Sequence, residues 1–219
     1  MYETKNMKFF IMMNILLCLR YDAYKIDMEY ILGMDVNTFI DYYKQKIPIV
    51  IHRHNDEFHY DKLHCGNDID VDHFYTCHKY NDDDRFRVVI ANSEQSIKLT
   101  KYKEAWFEHF KNGFSILLNG IDCPHVQELF RKTFEKHVNI NMYMTPPYSQ
   151  ALSRHNDTMD VFILQIKGTK HWFLYEGDDC IIHHVILKSG SMMYLPSGIT
   201  HEAKTYEQES HHITIGIHH

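Results

Sequence analysis

The sequence predicts a mainly β chain with flanking helices, an α+β class whose C-terminal part is an antiparallel sandwich or barrel. Three observations carry that expectation. Residues 139–217 read as short β-rich runs broken by Pro, Gly and Asp turns, whereas helical and extended signals are mixed before residue 138. No repeat, Pro/Gly-rich linker or long charge run divides the 219 residues. One domain over 1–219 is therefore expected, with 1–138 as N-terminal helices and flanking strands and 139–217 as the β core.

The first element is an apolar run at 9–19 (FFIMMNILLCL) behind Lys5 and Lys8. It is too short to span a bilayer, Asn14 interrupts it, and Arg20-Tyr21-Asp22 stands where small residues would mark cleavage. A buried helix or strand is expected there rather than a signal peptide. Residues 37–46 (NTFIDYYKQK) suit a helix capped by Asn37, and Pro48 leads into the strand-like Ile49-Val50-Ile51. Asp82-Asp83-Asp84 reads as a solvated turn, 85–91 (RFRVVIA) as a strand, 101–111 as an amphipathic helix closed by Gly113, and 114–118 as a further strand. Pro124 opens a second helix with Val126, Leu129, Phe130 and Phe134 at helical spacing. Strands follow at 139–145, 160–167, 171–176, 181–187, 191–195 and 211–217. Pro146-Pro147, Gly168, Gly177-Asp178-Asp179, Ser189-Gly190 and Pro196-Ser197-Gly198 separate them.

Composition removes several classes of function. Hydrophobic residues make up 44% and charged residues 24%, so the chain can bury a core. With 23 basic and 29 acidic residues the net charge is -6, which gives no general attraction to nucleic acid or an anionic membrane, and neither is expected as a partner. The five cysteines are odd in number, scattered and without a CxxC pair, so neither a disulfide framework nor a zinc ribbon is indicated and a cytoplasmic location is expected. The outlying count is 18 histidines.

One histidine arrangement points to chemistry. In His155-Asn156-Asp157 the outer residues are two apart, and in extended chain such residues project to the same side. His201 is the candidate for a second imidazole, 44 residues after Asp157 and just beyond the turn at 194–198 (YLPSG). Two histidines and one carboxylate on one octahedral face leave three positions open for substrate and oxygen, as Fe(II) oxygenases need. A structural zinc site would be closed.

The triplet stands in a longer ordered string. Tyr143-Met144-Thr145-Pro146-Pro147, then His155-Asn156-Asp157, then 160–172 (DVFILQIKGTKHW), then 190–203 (GSMMYLPSGITHEA) together resemble the cupin-type Jumonji C (JmjC) oxygenases, and among them the ribosomal-oxygenase branch. The strong resemblance covers about 139–217, and a weaker one begins at 39–51. It implies a double-stranded β-helix, the jelly roll of cupins, holding Fe(II) with 2-oxoglutarate as co-substrate and O2 as oxidant. Carried over by position, His155, Asp157 and His201 are the implied iron ligands and catalytic residues. Lys170 sits where the branch keeps the lysine that binds the distal carboxylate of 2-oxoglutarate, through a charge-assisted pair at the end of a narrow pocket. Tyr143 resembles the tyrosine that helps hold the same carboxylate, its alternative being a barrel-core aromatic. Asn141 shares that strand face and is a pocket-lining candidate.

Other positions stay open or are assigned to structure. His212 and Thr214, two apart on the last strand, either face the co-substrate or fill the barrel. Trp172 is expected in the core, Gly190 and Gly198 at turns, and Arg154 in a surface salt bridge rather than on substrate. His52, His54, His59, His64, His73 and His78 match no second metal site, and a Cys2His2 set from His64-Cys65 and Cys77-His78 lacks the usual ligand spacing. His218-His219 fit a tag remnant.

The resemblance implies a 2-oxoglutarate-dependent dioxygenase that hydroxylates an unactivated C–H bond on an amino-acid side chain of a protein or peptide. Members of the branch carry dimerisation and winged-helix-like segments after the barrel, whereas this sequence reaches only the last barrel strand. A free amino acid or a natural product is therefore the alternative substrate, and a homodimer is left open. The acidic balance favours a basic target. Two other classes remain: a cupin enzyme that uses the triad without 2-oxoglutarate, and a non-catalytic metal-binding protein.

Overall fold

The computed structural model describes residues 11–14, 26–53, 63, 86–89, 96–98, 108–121, 123–177 and 180–219. The two β-rich runs on either side of Gly168 form one long strand, β7 (Asp160–Glu176), and this strand sets the architecture. Its first half pairs antiparallel with β9 (Met192–Leu195) and β11 (Ser210–Ile217). Its second half pairs antiparallel with β8 (Cys180–Lys188) and β10 (Thr200–Lys204). β7 thus passes from one sheet into another, and the two sheets form the facing layers of a jelly roll.

The first sheet extends outward from this centre. On one side β9 pairs with β2 (Ile49–His52), which takes β1 (Ile11–Asn14) in parallel; on the other β11 pairs with β6 (Val138–Thr145). Beyond β6 lie β5 (Ser115–Leu118), β3 (Phe86–Val89) and β4 (Ser96–Lys98).

The crossing point explains one glycine. Gly168 has φ 68°, and a Cβ there would lie 1.8 Å from the backbone oxygen of Glu209. A side chain is excluded by backbone, not by a movable neighbour. Gly168→Ala is expected to lower unfolding free energy by at least about 2 kcal/mol, from left-handed backbone strain plus that clash, read as a shift of the denaturant midpoint. An unchanged midpoint would mean that β7 does not bend here as described.

Burial along β7 follows from this layering. Residues 160–166 are buried throughout because the first sheet is covered on both faces. From 170 to 175 burial alternates, with Lys170, Trp172 and Leu174 inward and His171, Phe173 and Tyr175 outward, since the second sheet has one outer face open to solvent. The covering of the first sheet is helical: α1 (Met28–Leu32), α2 (Val36–Lys44) and α3 (Pro124–Phe134). Phe39 of α2 and Phe130 of α3 each pack on Phe162 of β7, with ring centroids 5.4 and 5.0 Å apart. Between the sheets Val161, Ile163, Trp172, Leu174, Val185 and Leu187 form a second apolar cluster.

The structure revises several boundaries. α2 is capped by Asp35, whose carboxylate accepts from Thr38 N at 2.8 Å, so Asn37 lies inside the helix; an anionic acceptor two residues earlier outcompetes the amide. α1, with Asp27 accepting from Tyr30 N at 2.9 Å, is too short to show a period in sequence. β10 also escaped the reading, because its strand character comes from pairing with β7 and not from β-rich composition. Of the apolar run 9–19 the described part is β1, and of the helix expected at 101–111 it is a turn at 108–111 that ends before Gly113. Asp82-Asp83-Asp84 and His54, His59, His64, Cys65, His73, Cys77 and His78 lie outside the described residues.

Cys123 is disulfide-bonded, which the cysteine scatter did not indicate. Cys180 is free and exposed. Among the described residues no helix is long and apolar enough to cross a membrane.

Candidate metal centre

Two short backbone contacts assemble the triad. His155, at the end of the loop after β6, forms an isolated antiparallel bridge with His201 on β10: His155 N donates to His201 O at 3.0 Å and His201 N to His155 O at 2.8 Å. Asp157 follows two residues later. The turn at 196–198 braces it, with Gly198 N donating to Asp157 O at 2.9 Å and Ser197 N to the buried Asp160 carboxylate at 2.8 Å. The carboxylate oxygens of Asp157 lie 3.8 Å from His155 Nε2 and 3.7 Å from His201 Nε2.

These separations exceed a hydrogen bond and suit three donors around one ion. Among the described residues this is the one group of three or more such side chains that could hold a metal, with all ligand atoms within 4.8 Å of one another.

The tautomers are fixed by the backbone. His155 Nδ1 lies 2.7 Å from Ser153 O, and His201 Nδ1 lies 2.9 Å from Ile199 O. A carbonyl can only accept, so both Nδ1 atoms carry the proton and both Nε2 lone pairs face Asp157. Burial, and next the nearby His155, holds the His201 imidazole below its ordinary range, which keeps it neutral as a metal ligand must be.

The triad opens on a cavity of about 180 Å³ between the sheets. Lys170, fully buried on the inner face of β7, lines it and donates from Nζ to Thr145 Oγ1 at 2.7 Å. Among the described residues no carboxylate acts on this ammonium, and burial alone pushes it down to about 7. A buried lysine without an acid is costly unless an anion joins it. Asn141, Tyr143 and Thr214 also line the cavity.

His212 resolves in favour of the cavity rather than the barrel filling. Its ring stacks on Tyr143 at 5.1 Å and 7°, and burial, followed by the Lys170 charge, drives it well below its ordinary range. Burial, and then the charge of Asp157, raises the Tyr143 phenol. Both rings are therefore neutral. Asn141 Oδ1 accepts from Gly120 N at 2.9 Å; a backbone N–H can only donate, so the amide nitrogen is the end left for the cavity. Trp172 packs in the core as expected but also lines the cavity. Among the described residues the buried His212 Nδ1 and Trp172 Nε1 have no hydrogen-bond partner, a penalty of about 1–3 kcal/mol each that a bound ligand or water would relieve.

Three residues around the site make contacts that bear on it. Arg154 lies with its guanidinium 4.7 Å from the centre of the Tyr175 ring, a cation–π contact, and Tyr175 donates to Glu202 at 2.7 Å. His218 continues the fold instead of trailing from it, donating from N to His137 O at 3.1 Å and meeting Asn139 Oδ1 at 2.8 Å. Thr145, which seats Lys170, stands two residues from Tyr143 on the same strand, and that spacing is the signal in the sequence for its place at the site.

Residues 118–181 and 176–219 match the family model described as the JmjC domain. Mouse ribosomal oxygenase 2 is 41% identical over an alignment covering 36% of this chain and 20% of that protein. A Drosophila simulans protein named bifunctional lysine-specific demethylase and histidyl-hydroxylase NO66 is 33% identical, covering 43% of this chain and 13% of that one. The matched segment thus spans a fifth or less of these two relatives. The crystal structure of Escherichia coli ribosomal oxygenase YcfD aligns with TM-score 0.57 and 18% identity, covering 83% of this chain and 51% of that one. A structure of the same protein in complex with cobalt and 2-oxoglutarate aligns with TM-score 0.55. Fold and family model agree: residues 118–219 of this chain match the JmjC domain and share the fold of that oxygenase.

Proposed function

We propose that this chain is a 2-oxoglutarate-dependent hydroxylase that holds Fe(II) through His155, Asp157 and His201 and acts on an amino-acid side chain of a protein or peptide. The observation that carries the reading is one cavity with a cation-binding end and an anion-binding end, the second made by a buried ammonium that has no acid beside it among the described residues. Two imidazoles with Nε2 turned toward one carboxylate would suit a divalent iron, which such a three-donor set would leave accessible to further ligands. When bound, iron with 2-oxoglutarate and O2 supplies the oxidising power to put oxygen into a C–H bond.

The chain's own residues hold and exclude. Lys170, seated by Thr145, pairs with the distal carboxylate of the keto acid, and Tyr143 is placed to add a phenol donor. Val161, Ile163 and Trp172 form the apolar wall that keeps bulk water from the reacting carbon. No protein general base is required, and His212 is neutral and sheltered, suited to donating or accepting a hydrogen bond without taking a charge. The names of the relatives, ribosomal oxygenase and histidyl-hydroxylase, support a protein side chain as substrate.

The test is anaerobic loading of the purified chain with Fe(II) and 2-oxoglutarate, followed by oxygen. A weak visible charge-transfer band on loading, Fe(II)-dependent succinate, and a gain of one oxygen on a peptide are expected. Metal binding without 2-oxoglutarate turnover would favour the cupin enzyme of another type or the metal-binding protein.

A further inference from the structure

The outer face of the second sheet carries a pair of histidines that the proposed chemistry does not use. β7 alternates, so His171 projects outward on the opposite face from Lys170. In the β7–β8 register Phe173 faces His184 and His171 faces Ile186, which makes the two histidines diagonal neighbours on one surface. His171 Nδ1 lies 3.0 Å from His184 Nε2.

We infer that His171 and His184 form a second site, for a borderline divalent cation such as Zn2+, Ni2+ or Cu2+. Two imidazole nitrogens each about 2.1 Å from one ion stand roughly 3.0 Å apart at a right angle and roughly 3.4 Å apart at a tetrahedral one. The nitrogens already have this spacing, and the rings are held there by packing. His184 stacks on Phe173 at 4.5 Å and 6°, and Tyr206 meets His171 edge-on at 4.6 Å. Burial, and next the neighbouring His184, lowers the proton affinity of His171, which leaves a lone pair for metal at neutral pH.

The turn between β10 and β11 is moored to β7 by Thr169 Oγ1 donating to Gln208 Oε1 at 2.9 Å, and Glu207 on that turn acts electrostatically on His171, favouring positive charge beside it. The donor set is two imidazole nitrogens, with water to complete the shell. Imidazole nitrogen suits the borderline metals and disfavours Mg2+ and Ca2+, which require oxygen. An ion held there ties β8 to β7 and so adds stability in proportion to its saturation. The site shares no residue with the triad and does not depend on the proposed hydroxylase activity.

The experiment is calorimetric titration of the full chain with Zn2+, compared with His184→Gln, Asp157→Ala and the double variant. His184 is exposed, so its substitution does not threaten folding. His184→Gln is expected to take up one equivalent fewer than the parent. Zn2+ is expected to raise the melting temperature of Asp157→Ala, and part of that rise is expected to vanish in the double variant. Equal uptake by the parent and His184→Gln, or an identical Zn2+-induced rise with and without His184, would overturn the site and leave only an imidazole–imidazole hydrogen bond.

Discussion

Asp157→Ala removes metal-dependent turnover while leaving the fold intact: a loss of more than about 100-fold is expected, exceeding the 10- to 100-fold that removal of a partner behind a metal ligand costs. Asp157 is the one anion of the triad, and its two oxygens stand between the two imidazole Nε2 atoms. Without it two neutral donors remain, held by the His155–His201 backbone bridge, which the substitution does not touch. The Asp157 side chain keeps 31% of its exposure, so its removal leaves no buried void. Metal content by elemental analysis and thermal unfolding are the paired measurements. A variant that keeps iron and turnover would place the metal elsewhere.

Lys170 offers the second large effect, and with an uncommon sign. Lys170→Met is expected to raise the stability of the ligand-free protein, because a fully buried ammonium with no acid beside it among the described residues is replaced by an apolar chain of similar length; by analogy with the replacement of buried ion pairs the gain is on the order of 1–4 kcal/mol. The same variant is expected to need at least about tenfold more 2-oxoglutarate, the worth of a hydrogen bond to a charged group. A stabilised protein with a lost anion site separates a ligand-binding lysine from a structural one. If the variant is less stable, Lys170 holds the barrel through Thr145 and has no need of an anion.

The pH dependence follows from the same group. Burial lowers Lys170 from 10.5 to about 7 in the folded chain, so between those values the unfolded chain binds the extra proton. Stability of the ligand-free protein is therefore expected to rise with pH from about 7 toward 10.5, and Lys170→Met should lose that contribution. Binding of a dicarboxylate favours the charged amine. Near pH 8 it should take up a proton, visible as a binding heat that depends on the buffer.

What was legible in the sequence was what repeats locally. The two-residue period put His155 with Asp157, Asn141 with Tyr143, and His212 with Thr214 on common faces, and each pair lines one cavity. Helix α3 was legible because Pro124 and the buried Val126, Phe130 and Phe134 lie within one element. β10 was not, since Thr200–Lys204 becomes a strand only by pairing with β7.

The sequence by itself determined the β character of 139–217, the residue types of a metal triad and the order of motifs, because each is a property of neighbours along the chain. Only the tertiary structure decided that His201 meets His155 through a backbone bridge, that Lys170 is fully buried with no acid beside it among the described residues, and that His212 faces the cavity. Those facts depend on β7 bending at Gly168 to join two sheets. Which groups then lose water is set by contacts between residues distant in sequence, and no local period encodes them.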